Sequence, residues 1–135
     1  MSIKRYGTVQ TCSGSERLPF ARAVEADGLH ISGQVAMKND KTIGGNIVAQ
    51  THKAIAIPVA ILKEAGYGVD DVVPVGAWLD DPRVFGSFNK IYEEYSGEHP
   101  PSRACVQSPM TVDWKVEIDC IAYKPKQSRA IDFLS

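Results

Sequence analysis

The sequence predicts an α+β layered domain, and three observations lead there. Short alternating apolar and polar runs occur near the N-terminus and again from residue 72 onward. Two longer segments carry helical spacing. Clusters of Gly, Pro and Asp separate these runs. The resulting order, β-β-α-β-α-β-β with antiparallel or mixed strands, gives two helices one sheet to pack on.

Each element has its own signal. Residues 23–27 and 29–32 read as strands turning at Asp27-Gly28, a dipeptide suited to a tight hairpin. Residues 38–45 read as a polar loop ending in Gly44-Gly45. A helix is expected over 46–65, stopped by Gly66. Pro58 falls inside it and has no N–H for the Ala54 carbonyl, so the helix either kinks or breaks in two. Two apolar stripes run along that helix: Val48, Ile55, Val59 and Leu62, and Ile47, Ala54, Ile57 and Ile61. One sheet needs one stripe; the other lies deep in a monomer core or near a neighbouring subunit. Residues 72–79 read as a buried strand, Asp80-Asp81-Pro82 as a turn and 84–95 as a second helix. The last two strands, 102–107 and 115–123, are expected to form a hairpin turning near 108–113.

That hairpin carries the candidate chemistry. Side chains alternate between faces along a strand. Val116, Ile118, Cys120 and Ala122 form an apolar face, which Ala104 and Val106 are expected to join. Glu117 and Asp119 then share the other face with Arg103, Cys105 and Gln107. The expected register sets Cys105 opposite Glu117 and Arg103 opposite Asp119. Such a face reads either as the solvated side of a monomer or as a site.

Composition narrows the class. The 135 residues, 44% of them hydrophobic, suit one domain with one core. No apolar run approaches the roughly 18 residues of a membrane span, and residues 1–7 lack a signal-peptide core. The three cysteines, Cys12, Cys105 and Cys120, have no metal-type spacing and fit reduced thiols, so a cytoplasmic placement is expected. A net charge of −1 gives no field for nucleic acid. Without a GxGxxG or Walker-type loop no nucleotide cofactor is implied, and the scattered His30, His52 and His99 imply no metal.

Pro101-Ser102-Arg103-Ala104-Cys105-Val106 followed by Val116-Glu117-Ile118-Asp119-Cys120-Ile121-Ala122 resembles the signature of the reactive intermediate deaminase (Rid, or YjgF) family, also called L-PSP endoribonucleases. Ile31-Ser32-Gly33-Gln34 resembles its S-G-Q strand, and Ala49-Gln50-Thr51 its A-Q-T-R helix. Leu79, Asp81, Phe85, Asn89 and Tyr92 follow its strand, Asp, Phe and N-x-x-Y pattern. The chain reads as one domain of this family over 1–135; the likeness covers most of it, only the ends fall outside, and the tail, 124–135, has no counterpart.

The resemblance implies a chorismate-mutase-like fold of the bacillus type: a mixed six-stranded sheet, two helices on one face, and a homotrimer with sites between subunits. It also implies hydrolysis of small enamines or imines, such as 2-aminoacrylate or 2-iminopropionate, to a 2-keto acid and ammonia. Arg103 would bind the substrate carboxylate and Glu117 would position water. Cys105 and Gly33 would supply a backbone donor and acceptor, with Ser32, Phe20 and Asn89 completing the pocket. The reaction needs no cofactor, no membrane and no nucleic acid. Two alternatives stand beside it: a catabolic relative (an aminomuconate deaminase or an aminoacrylate-peracid processor), and a non-catalytic ligand-binding or chaperone-like trimer. Cys105 is read as a wall residue, because an adjacent Glu117 would raise its pKa and no His is placed as its base. Leu18-Pro19-Phe20-Ala21-Arg22-Ala23 stands where the best-known branch has G-P-Y-S-Q-A. Phe20 keeps the ring without the hydroxyl. Arg22 is either solvated or aimed at a second acid group.

Overall fold

The computed structural model describes residues 2–10, 17–38, 41–42 and 44–124. Among the described residues eight strands and two α-helices follow one another. Strands β1 (Lys4–Gln10), β2 (Arg17–Glu25) and β3 (Leu29–Gln34) open it, and a two-residue hairpin, β4 (Met37–Lys38) and β5 (Lys41–Thr42), precedes helix α1 (Ile47–Glu64). Strand β6 (Val72–Leu79), helix α2 (Phe85–Ser96), and strands β7 (Ser102–Gln107) and β8 (Val116–Ala122) complete it.

The six-stranded sheet has the order β1-β2-β3-β8-β6-β7. Only β6 and β7 run parallel; all other neighbours are antiparallel. The β2–β3 hairpin turns at Asp27 and Gly28, both with positive φ, as the sequence predicts. The last two strands do not form the expected hairpin. Strand β6 lies between them, bonded to β7 on one side and β8 on the other. The reason is burial. In β6, Val75, Ala77 and Leu79 are buried and the intervening Gly76 and Trp78 half-buried, so this strand takes the centre. Strand β7 exposes Ala104 and Val106 and takes the edge.

Both helices cover one face. In α1 the Asn46 side chain caps the first turn by accepting from the Ala49 N–H at 3.0 Å. The helix runs through Pro58 without breaking. Its buried stripe, Ala54, Ile55, Pro58, Ile61 and Leu62, draws from both stripes seen in the sequence, while Val48 is exposed. Gln50 Oε1 accepts the Lys115 N–H at 2.9 Å and ties α1 to the start of β8. Asp81 caps the turn into α2, accepting from the Arg83 N–H at 2.9 Å. Helix α2 buries Phe88 and Ile91. Phe88 belongs to the same buried core as Leu79, Val116 and Ile118. Among the described residues no helix lies on the opposite face of the sheet.

Candidate functional site

Register decides which side chains share a face, and it divides the predicted residues into two groups. Arg103 pairs with Val75 and Cys105 with Ala77, on the helix-covered face. Glu117 pairs with Trp78 and Asp119 with Gly76, on the open face. One guanidinium, one thiol and two carboxylates therefore do not share a face, and Arg103 does not oppose Asp119. Ala104 and Val106, expected in the core, point out on the open side, where Val106 is 50% exposed.

On the helix side Arg103 lies against α2. Its guanidinium carbon is 4.7 Å from the Tyr92 ring centroid, 5.3 Å from Phe88 and 5.8 Å from Phe85. Among the described residues the one ion pair joins Arg83 to Asp81, so Arg103 has no carboxylate partner. Cys105 is half-buried. Burial pushes its thiol up and the Arg103 charge pulls it down. Glu117, expected to act on this thiol, lies on the other face. Asn89 sits on α2 with its Oδ1 buried and unpartnered among the described residues.

On the open side the carboxylates lie flat on their neighbouring strands. Burial raises the Glu117 pKa, and the nearby Asp119 raises it further. Burial also raises Asp119, opposed by the Gly76 N–H that its Oδ1 accepts at 3.1 Å. Two glycines make room. A Cβ on Gly33 would stand 2.6 Å from Glu117 Oε2, and one on Gly76 2.5 Å from Asp119 Oδ1. Between the pairs Ile31↔Cys120 and Gln34↔Ile118 the register slips, so Ser32 and Gly33 together face Asp119 in a bulge. The Ser32 hydroxyl is committed to the Ala21 carbonyl at 2.7 Å. A concavity of about 400 Å³ opens there, with His30, Ser32, Gly76 and Asp119 in its wall. Phe20 is 46% exposed, in the part of β2 where the register with β1 shifts. Arg22 alternates with the buried Ala23 onto the open face, but its stem packs over Gly7 of β1, away from β8.

Cys120 is buried and its thiol is pushed up to about 12 by burial and Asp119. Cys12 and the tail beyond Lys124 lie outside the described residues. His52 Nδ1 lies 2.9 Å from the Tyr95 hydroxyl, bridging the helices. Among the described residues no three His, Cys, Asp or Glu side chains converge as a metal site requires. None of the helices described is long and apolar enough to cross a membrane. The ring cage around Arg103 went unread in the sequence, although Phe85, Phe88 and Tyr92 recur at helical spacing.

A mixed six-stranded sheet with two helices on one face and a signature arginine on its edge strand defines an α+β domain of the chorismate-mutase-like class. The family model described as endoribonuclease L-PSP matches residues 15–124, and the chain belongs to that family. A RutC family protein of Pyrococcus horikoshii is 37% identical over 110 residues, covering 78% of this chain and 87% of its own length. The UK114 member of the RutC family in Drosophila melanogaster is 35% identical over 108 residues, covering 77% and 78%. Among solved structures, a YjgF family member from Neisseria meningitidis superposes with a TM-score of 0.77 at 26% identity, covering 93% of this chain and 98% of that one. Escherichia coli TdcF, solved with bound serine, superposes with a TM-score of 0.75 at 26% identity, covering 80% and 90%.

Proposed function

We propose that the chain is a hydrolytic deaminase of small 2-imino and 2-enamino acids, acting as a homotrimer with sites between subunits. One observation carries this reading. Arg103 and Glu117 occupy opposite faces of one sheet, so one copy cannot present both to a substrate of a few atoms. Two copies can, if the β7–α2 edge of one meets the open face of the next. Arg103, Cys105 and Asn89 then come from one subunit, and Gly33, Ser32, Phe20 and Glu117 from its neighbour. Closed symmetric assemblies place one such junction at every interface.

The chemistry follows from the groups. The Arg103 fork takes the substrate carboxylate bidentately, its donors being free of any carboxylate among the described residues. An enamine first tautomerises to the imine. Glu117 holds a water and takes its proton as the oxygen adds to the C=N carbon. Glu117 passes that proton to the nitrogen to give the carbinolamine; as the C–N bond breaks, the hydroxyl proton moves to the nitrogen, which leaves as ammonia, and the carbon becomes the carbonyl of a 2-keto acid. Water supplies the oxygen and the hydrogens, so no oxidant or metal enters the balance. The raised pKa of Glu117 suits this role, because it moves the carboxyl toward the working pH. The serine bound to TdcF carries the same carboxylate beside a nitrogen-bearing carbon.

The test generates 2-imino acids in place with an amino-acid oxidase and traps the remaining imine with semicarbazide. The expected result is faster ammonia release than in buffer, lost in Arg103→Ala. No acceleration with any of several imino acids would remove the deaminase reading and favour a small-ligand binding role.

A further inference from the structure

Arg103 is a half-buried cation with no carboxylate partner among the described residues. A guanidinium on an edge strand keeps a single geometry only when something packs against it, and a carboxylate neighbour is the usual device. A carboxylate would also occupy the N–H fork. Here three rings of α2 take that place, at i, i+3 and i+7, so one stripe of the helix faces β7. A ring face attracts a cation through its quadrupole without accepting the in-plane N–H bonds. The three rings are not equivalent. Phe88 is fully buried and Phe85 half-exposed. Tyr92 is the nearest, and its hydroxyl is buried with no hydrogen-bond partner among the described residues. A buried hydroxyl left unpaired is unfavourable, so what this position offers Arg103 is its ring.

We propose that Tyr92 is a positioning residue for Arg103: its ring face, backed by Phe88, holds the guanidinium in orientation and leaves the N–H fork open to a planar carboxylate. This rests on the reading of Arg103 as a carboxylate clamp. Tyr92 also lines an apolar cavity of about 60 Å³ between the helices and the sheet, with Ile55, Leu62 and Cys120. The ring is thus bounded by soft side chains on one side and the cation on the other, and its truncation would free Arg103 to swing.

The test reads Arg103 directly and separately from catalysis. In the intact protein, NMR of the Arg103 Nε–H and Cδ groups reports ring-current shifts and side-chain mobility, and titration with propionate reports carboxylate binding. Tyr92→Leu is expected to remove the contribution of the nearest ring to the ring-current shifts, mobilise the side chain and weaken propionate by about tenfold, the scale of a partly desolvated cation–ring contact. Tyr92→Phe is expected to keep both at wild-type values. Phe85→Leu, at the half-exposed ring, carries the same test in milder form if Tyr92→Leu does not fold, with propionate weakened about twofold. Wild-type shifts and affinity in Tyr92→Leu or, where that variant does not fold, in Phe85→Leu would overturn the proposal. So would a loss in Tyr92→Phe equal to that in Tyr92→Leu. If wild type binds no propionate while Tyr92→Leu still frees Arg103, the positioning stands and the deaminase reading falls.

Discussion

The two halves of the candidate site are built by opposite means. On the helix side a long cation is held by the faces of three rings, and no carboxylate among the described residues takes its donors. On the open side two short carboxylates are pressed onto adjacent strands, where missing Cβ atoms make room and a backbone N–H supplies a partner. The first half is a matter of side-chain packing and tolerates small changes in backbone. The second depends on backbone proximity and tolerates almost none. The alternation that separates them is the same along β7 and β8, so neither half can acquire the other within one chain.

The largest effect is expected from Arg103→Ala. Removing the fork leaves the substrate carboxylate without orientation, a loss of about 2 to 5 kcal/mol for a buried charge-assisted pair. That is enough to erase most of the acceleration in the imine assay. Arg103→Lys should recover only part, since a point charge does not reproduce two parallel bonds. Glu117→Gln should retain carboxylate binding and slow turnover, which separates the two halves by role.

One added methyl group tests the halves against each other. Gly76→Ala puts a Cβ 2.5 Å from Asp119 Oδ1 and displaces the carboxylate from its N–H. A destabilisation of about 1 to 3 kcal/mol is expected, read by denaturant unfolding. Gly86, in α2, has nothing within 4 Å of the same methyl. Gly86→Ala should stabilise by up to about 1 kcal/mol through helix propensity. Equal effects at the two positions would mean that the open face is looser than its distances imply.

The open half should also register in pH. Burial raises both Glu117 and Asp119 above their unfolded values. The folded chain then binds more protons than the unfolded one, so stability is full below the ordinary carboxylate range of about 4 and falls as pH climbs through the folded values. Glu117→Gln and Asp119→Asn should each flatten this slope in melting temperature against pH. A slope unchanged in both would place the proton uptake elsewhere. The smallest effect is expected at Cys105. Burial keeps its thiol protonated despite Arg103, so Cys105→Ala should keep most of the deaminase activity. A loss matching Arg103→Ala, with the fold intact, would make the thiol a participant.

Much of the fold was legible because its signals are local. The Asp27-Gly28 turn, the stop at Gly66, the buried run of β6 and the second helix need no partner to be recognised. What was not legible is non-local. Strand β1 reads KRYGTVQ, with Tyr6 as its one large apolar side chain, and gives no alternating stripe. The insertion of β6 between β7 and β8 leaves no trace in the short segment joining them. The face of Arg103 was misread for a physical reason. An exposed Val106 and a half-buried arginine invert the usual polarity of a strand, and only the rings of α2 make that inversion favourable. The signature residues themselves were identifiable; their division between two faces was not.

Mixed assemblies test whether neighbouring subunits bridge that division. Arg103→Ala and Glu117→Gln chains, each with its own tag, are co-expressed and purified through both tags. If each site takes Arg103 from one copy and Glu117 from the next, every mixed trimer contains one site with both native groups. Deaminase activity should then return to roughly a third of the wild-type rate, although each variant alone is near background. A mixture no faster than its separate components would contradict a site shared between subunits.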